Sequence, residues 1–335
     1  MRVLLLRRRA SGGLAKYTDA LAFALPKLGI ELKIEDAASW IPDETGPGPD
    51  RQVSVKLKSM AESFDIVHAC GYRTAWACGE GLGNKKPWVY SAYDLPKSTH
   101  PFLVDRLNKA KAGVCASYAI HTPLNEAGVQ RLETIYPGIQ PFNITNHADA
   151  RTLFDLPPDE QVVACLGQFD TDAGYEALFP AMETVWAHHP KAEFLIAGSG
   201  RELENFRSRR WETSVPERVR VPGEVVRSQD VLAACDLFVV PERRAGFSLT
   251  AVEAMFAGLS VLARNAGALP EILHEHVSGL LFQGDTVLGE AIAGALEMPL
   301  TLEAMGNAAA IRAQEMFSLE QSAERIAELY RNVLN

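Results

Sequence analysis

The chain alternates short apolar runs with longer amphipathic stretches. Residues 3–6 form a strand-length apolar run closed by a glycine-containing turn at residues 11–13. Behind it, Leu21, Phe23, Ala24 and Leu25 give an apolar face to a helix expected over residues 15–28. Residues 64–68, 88–92 and 112–116 read as further buried strands. A second series follows, with strands expected at 162–166, 192–197, 219–221, 237–240 and 260–263. Segments 175–188, 228–234 and 249–257 have helical period between them, and residues 319–334 close the chain as one amphipathic helix.

Strands that alternate with helices predict parallel βαβ units. The two series are separated by residues 136–158, which carry Pro137, Gly138, Pro141, Pro157 and Pro158, and the early part of this stretch is expected to be a linker. The fold class expected is α/β, as two doubly wound Rossmann-like domains facing a cleft. They are placed at residues 1–145 and 146–316, with residues 317–335 crossing back to the first. Ligand loops in such domains lie at the C-terminal ends of the strands.

The composition is that of a globular protein: 335 residues, 47% hydrophobic and 22% charged. The five cysteines form no CxxC pair and none has a histidine at metal-ligand spacing, so buried thiols in a reducing, cytoplasmic setting are expected. The apolar run in MRVLLLRRR is too short for a signal peptide, and no later run is long enough to span a bilayer. Residues 1–150 hold 18 Lys and Arg against 15 Asp and Glu, a balance of +3, whereas residues 151–335 hold 15 against 27, a balance of −12. The acidic second half argues against nucleic-acid binding. The basic first half is compatible with peripheral contact with an anionic membrane or with a phosphorylated acceptor.

Chemistry concentrates in residues 237–282, beginning LFVVPERRAGFSLTAVEAMFAGLSVLARNAGALPEIL. Two loop-to-helix junctions are expected here, one before residue 249 and one near Pro270, each offering free backbone N–H groups and the positive end of a helix dipole to a phosphate. Gly258 is placed to end the helix between them.

This stretch resembles the signature of family-4 GT-B glycosyltransferases, P-S-x-x-E-G-F-G-L-x-x-x-E-A-x-A-x-G-x-P-V-x-A-x-x-x-G-G-x-P-E-I. Pro241, Gly246, Phe247, Leu249, Glu253, Ala254, Ala257, Gly258, Val261, Ala263, Gly267, Pro270, Glu271 and Ile272 carry it. Gly12 and Gly13 resemble the family's N-terminal glycine loop, FDIVHA at 64–69 its D-I-V-H-x-H strand, YPGI at 136–139 its linker, CLGQFDTDAG its G-R-x-x-x-x-K-G loop and IAGSG at 196–200 its glycine turn.

The resemblance implies a transferase moving a sugar from a nucleotide-diphosphate donor, UDP- or GDP-linked, to a sugar, lipid or small-molecule acceptor. Retention of configuration and no bound metal or cofactor are implied with it. Donor contacts would come from Gly12, Gly13, Gln168, Gly198, Arg243, Arg244, Gly246, Phe247, Ser248, Leu249, Glu253 (the ribose carboxylate), Gly267 and Ala268. Asp94 and Glu271 are the groups it would place nearest the chemistry.

Four positions depart from the family. The donor-sugar glutamate falls on Ala245, the diphosphate arginine on Gln168, the diphosphate lysine on Ala173, and the histidine near the reacting sugar on Tyr93. Losing two charge-assisted contacts of about 1.5–3 kcal/mol each is severe unless other cations replace them. Arg7, Arg8, Arg9, Arg201, Arg243 and Arg244 are the candidates. The alternative reading is a non-catalytic protein of the same fold, serving as a binding partner of an active transferase. An epimerase on this fold has little residue support.

Other motifs carry less. Gly198-Ser199-Gly200 lacks the third glycine of a dinucleotide fingerprint, and Asp170-Thr171-Asp172 reads as a solvated turn rather than a metal motif. His188 and His189 suit a helix C-terminus. His68 is expected to pack inside the protein.

Overall fold

Two parallel six-stranded sheets organise a computed structural model of the chain, which describes residues 1–8, 12–42, 47–170 and 173–335, without the side chains of 47–50. They belong to two compact units, Met1–Gln140 with Met316–Asn335, and Pro141–Glu315.

The first unit holds β1 (Arg2–Arg7), α1 (Gly13–Ala24), β2 (Glu31–Asp36), α2 (Pro47–Ala61), β3 (Ile66–Cys70), α3 (Tyr72–Gly81), β4 (Trp88–Ala92), α4 (Pro101–Leu107), β5 (Ala112–Cys115), α5 (Tyr118–Glu126) and β6 (Leu132–Thr134). Strand order is β2-β1-β3-β4-β5-β6. The central strands are buried throughout, which explains why they read as continuous apolar runs rather than alternating ones. The helix expected over 15–28 instead ends at Ala24 and tightens into a 3-10 turn, Leu25–Leu28. Pro26 has no amide to donate, and Gly29, at φ 78°, turns the chain out.

The second unit holds α6 (His147–Leu153), β7 (Val162–Gln168), α7 (Leu178–His188), β8 (Glu193–Ser199), α8 (Leu203–Arg209), β9 (Val219–Gly223), α9 (Ser228–Ala234), β10 (Leu237–Val240), α10 (Leu249–Phe256), β11 (Val261–Arg264), α11 (Leu269–Ile272), β12 (Leu280–Phe282), α12 (Leu288–Leu296) and α13 (Pro299–Met316). Its order is β12-β11-β10-β7-β8-β9, and the direction of succession reverses between β7 and β10. Arg151 anchors α6 beneath the sheet: it is 3% exposed, donates to the carbonyls of Pro157, Pro158 and Glu160, and pairs with Asp236 at 2.8 Å.

The final helix, α14 (Leu319–Leu334), packs on the first unit. Ser318 bridges to Ile139, and Tyr17 Oη lies 2.6 Å from Ser322 Oγ. His68 is wholly buried, with Nε2 2.7 Å from Ser91 Oγ and Nδ1 2.5 Å from Tyr330 Oη. Burial lowers its pKa to about 3, so this histidine is a neutral packing group. The five cysteines are all buried and unpaired, and burial pushes the thiols of Cys70 and Cys115 up to about 12. Among the described residues no helix is long and apolar enough to cross a membrane.

Candidate functional site

In an open doubly wound sheet, ligands settle beyond the strand ends where the strand order reverses. In the second unit that point lies between β7 and β10, and the sequence places Gln168 at the end of one and Pro241 after the other. The two loops touch: a Cβ on Gly174 would collide with the Pro241 carbonyl. Gly174 also needs its φ of +84°, so glycine is required twice over. Gln168 is exposed, and Gly198 lies beside it across the sheet, paired with Gly167.

The loop after β10 is closed by the loop after β11. Ala245 is 2% exposed, and its carbonyl accepts a 2.8 Å hydrogen bond from the Ala268 amide. Gly267, at φ +57°, lies so close that a Cβ would strike the same carbonyl. Ser248, 3% exposed, caps α10, its Oγ accepting from Ala251 N at 3.4 Å. One turn on, α10 carries Glu253, 6% exposed. Gly246 is buried, Phe247 and Leu249 are half-buried, and Arg244 is exposed.

The expectation of free amides at the second junction needs correction. Helix α11 has four residues, and its first turn closes on its own surroundings: Ala268 N–H donates to Ala245, Leu269 N–H to Ala266 and Glu271 N–H to Ala268, while Pro270 has none to offer. The junction fixes a backbone more than it presents donors.

The cations fall into distinct environments. Arg243 donates to Glu176, and its Nη2 lies 2.5 Å from Asp285 Oδ2. These hydrogen bonds, to Asp285 first and then to Glu176, raise its pKa. Asp285 also takes Arg264, whose Nε donates to the Pro241 carbonyl at 2.8 Å. Burial works to raise the Asp285 pKa, but hydrogen bonds from Arg243 and Arg264 outweigh it and hold the carboxyl below its usual value. Two arginines and two carboxylates thus lace the ends of β7, β10, β11 and β12 together. The Arg243 stem passes Gly174, its Cγ 3.5 Å from where a Cβ there would lie and one residue from Ala173. Arg201 is exposed and stands 3.6 Å from Asp170.

In the first unit, Arg7 is 7% exposed and bound to Asp19 and Asp36, each at 2.6 Å, and to Thr18 Oγ1 at 2.7 Å. It ties β1, β2 and α1 together, so it is a structural cation rather than a phosphate ligand. Arg9 and Ser11 lie outside the described residues; Gly12, at φ 82°, and Gly13 begin α1. Asp94 follows β4 with its carboxylate at the surface, and its backbone carbonyl accepts from Tyr72 Oη at 3.1 Å. Tyr93 stands edge-on to Tyr17, ring centroids 5.6 Å apart.

Glu176, Asp285 and Arg264 carry no motif in the sequence that marks them as part of this cluster. Glu176 and Asp285 lie 67 and 42 residues from Arg243, and Arg264 lies 21 residues from Asp285; only the turn character of Gly284-Asp285 hints at a loop.

Residues 149–332 match the family model described as glycosyl transferases group 1. The chain is similar to the D-inositol 3-phosphate glycosyltransferase of Segniliparus rotundus, 31% identical over 223 residues that cover 62% of this chain and 48% of that protein. It is similar to the lipopolysaccharide core biosynthesis mannosyltransferase LpsB of Rhizobium meliloti, 29% identical over 204 residues covering 58% and 57%. The match thus spans about half the length of these curated relatives. The Anabaena Alr3699/HepE protein, solved in complex with UDP, shares the fold with a TM-score of 0.83 at 19% identity, over 99% of this chain and 100% of that one. With its two parallel sheets and flanking helices, the chain has the two-domain Rossmann-like architecture of GT-B glycosyltransferases, and it belongs to the group 1 glycosyl transferase family.

Proposed function

We propose that the protein is a family-4 glycosyltransferase that moves a sugar from a nucleoside-diphosphate donor to the hydroxyl of a sugar, lipid or small-molecule acceptor, without a bound metal and with retention of configuration. The observation that carries the reading is the convergence of the β7, β10 and β11 loops at the strand-order reversal, two of them held together at glycines that admit no side chain. Glu253, buried beneath these loops, is the carboxylate proposed for the ribose.

The donor site is proposed to be divergent in how it meets the diphosphate. Charge develops on that group as the glycosidic bond breaks, and fixed cations or dipoles must stabilise it. Gln168 and Ala173 cannot. Arg243 can, because its stem already lies beside Gly174. Its pairs to Glu176 and Asp285 are partly exposed, and such surface pairs contribute about 0–1 kcal/mol. A charge-assisted bond to a diphosphate contributes about 1.5–3 kcal/mol, so the exchange favours the ligand. Asp94 and Glu271 are proposed to contact the reacting sugars, and Arg244 to reinforce Arg243.

One observation favours a second reading, a non-catalytic partner of an active transferase: Ala245, proposed to stand in place of the family's sugar-binding carboxylate, is buried and carries no polar side chain. A thermal-shift and donor-hydrolysis screen with UDP, GDP and their sugars, with and without magnesium, separates the two. Stabilisation with metal-independent release of nucleoside diphosphate supports the transferase. Stabilisation without turnover, or no response to any nucleotide, removes the transferase and leaves the partner reading.

A further inference from the structure

We propose that Arg312, on α13, is a positioning residue for the donor site, acting through the backbone of residues 267–272; the inference rests on the donor reading above. Its guanidinium spans two successive carbonyls at the end of α11. Nε donates to Ile272 O and Nη2 to Glu271 O, each at 2.8 Å.

Four residues cannot sustain a helix alone, because nucleation fixes several residues before the hydrogen bonds repay it. The orientation of α11 is therefore set from outside, at both ends. Its start is tied to the β10 loop through the bond from Ala268 to Ala245. Its end is tied to α13 through Arg312. The segment between these ties holds Ala268 and Glu271, and Gly267 immediately precedes it. The exposed carbonyls at a helix C-terminus carry partial negative charge, so a cation there is held electrostatically as well as by hydrogen bonds. The planar guanidinium supplies two donors at fixed spacing, which a lysine ammonium does not.

Helix α13 is itself a firm base. Ser260, just before β11, donates its hydroxyl to Leu302 O at 2.6 Å, and Gly306 meets the Gly258 carbonyl so closely that no side chain fits. These contacts lie toward the start of α13, away from α11. They therefore supply a control: loosening α13 at Ser260 weakens the unit without touching residues 267–272.

The test uses the full chain and three variants: Arg312→Met, Arg312→Lys and Ser260→Ala. Amide hydrogen exchange over 267–273 is measured without nucleotide, UDP affinity by calorimetry, and the thermal midpoint of each. In Arg312→Met, exchange at Ile272 and Leu273 is expected to accelerate and UDP to bind about five- to tenfold more weakly, the loss of one or two hydrogen bonds. Arg312→Lys should recover part of both. Ser260→Ala should lower the midpoint with UDP affinity and exchange over 267–273 unchanged. Unchanged exchange in Arg312→Met, or equal losses of affinity in Ser260→Ala, overturns the positioning role. A wild type that binds neither UDP nor GDP overturns the donor reading and the donor role of Arg312 with it, while the exchange result still reports whether Arg312 orders the segment.

Discussion

The Ala245 carbonyl accepts the Ala268 amide at 2.8 Å, and the same carbonyl closes the space beside Gly267. Two loops from neighbouring strands are thereby locked into one surface.

Gly267→Ala should break it. Alanine at φ +57° is strained, and its Cβ strikes the Ala245 carbonyl. A cost of about 1–3 kcal/mol is expected, lowering the thermal midpoint by several degrees and removing UDP binding. A variant with wild-type midpoint and UDP affinity would show that the loops do not depend on this contact.

Arg243 and Arg7 should separate cleanly. Arg243→Gln is expected to weaken UDP binding about 10- to 150-fold with little change in stability, because its guanidinium pairs are partly exposed. Arg7→Gln should cost about 2–3 kcal/mol of stability and leave UDP affinity alone, because Arg7 is buried between Asp19 and Asp36. Calorimetry and chemical denaturation of both variants decide it. The reverse pattern would assign the phosphate cation to the first unit.

A cation introduced at residue 168 should compensate for the loss of Arg243. Gln168 is exposed at the end of β7. Gln168→Arg in the Arg243→Gln background is expected to recover about tenfold in UDP affinity, the equivalent of one charge-assisted contact. No recovery in a folded double variant would mean that the two positions do not face the same group.

Much of this arrangement is legible in the sequence, and the exceptions have physical reasons. Leu237–Val240, Ser228–Ala234 and Leu319–Leu334 stand where their hydrophobic patterns place them: the strand is buried on both faces, the first helix is buried or half-buried all round, and the last has one buried face. Strand β2 was not legible: Glu31–Asp36 holds two apolar residues, is partly exposed, and is ordered by its register on β1. The charge cluster was not legible either. Arg243 announces itself in the loop, but Glu176 and Asp285 reach it only through the packing of β7 and β12 around β10 and β11, and no local spacing encodes that. Short α11 misled in the opposite sense, since its signature suggests open amides that Ala245 and Ala266 already occupy.

His68 predicts a pH dependence of stability. Its pKa falls from 6.5 to about 3 on folding, so between those values the unfolded chain binds the extra proton. Stability contributed by the neutral ring is complete above pH 6.5 and is lost as the pH falls toward 3. The slope from this group approaches about 1.4 kcal/mol per pH unit. Denaturation midpoints of wild type and His68→Gln between neutral and mildly acid pH should converge on acidification. Parallel curves would mean that His68 is not the titrating group.

The surface formed by the β7, β10 and β11 loops is proposed to bind and use a nucleotide-linked sugar. Calorimetric titration of the full chain with UDP and GDP, paired with release of nucleoside diphosphate from UDP- and GDP-sugars in chelator, tests it most directly. Saturable binding of at least one diphosphate is expected, with slow, metal-independent release that Arg243→Gln suppresses. Absence of binding and of release for every nucleotide tried would contradict it.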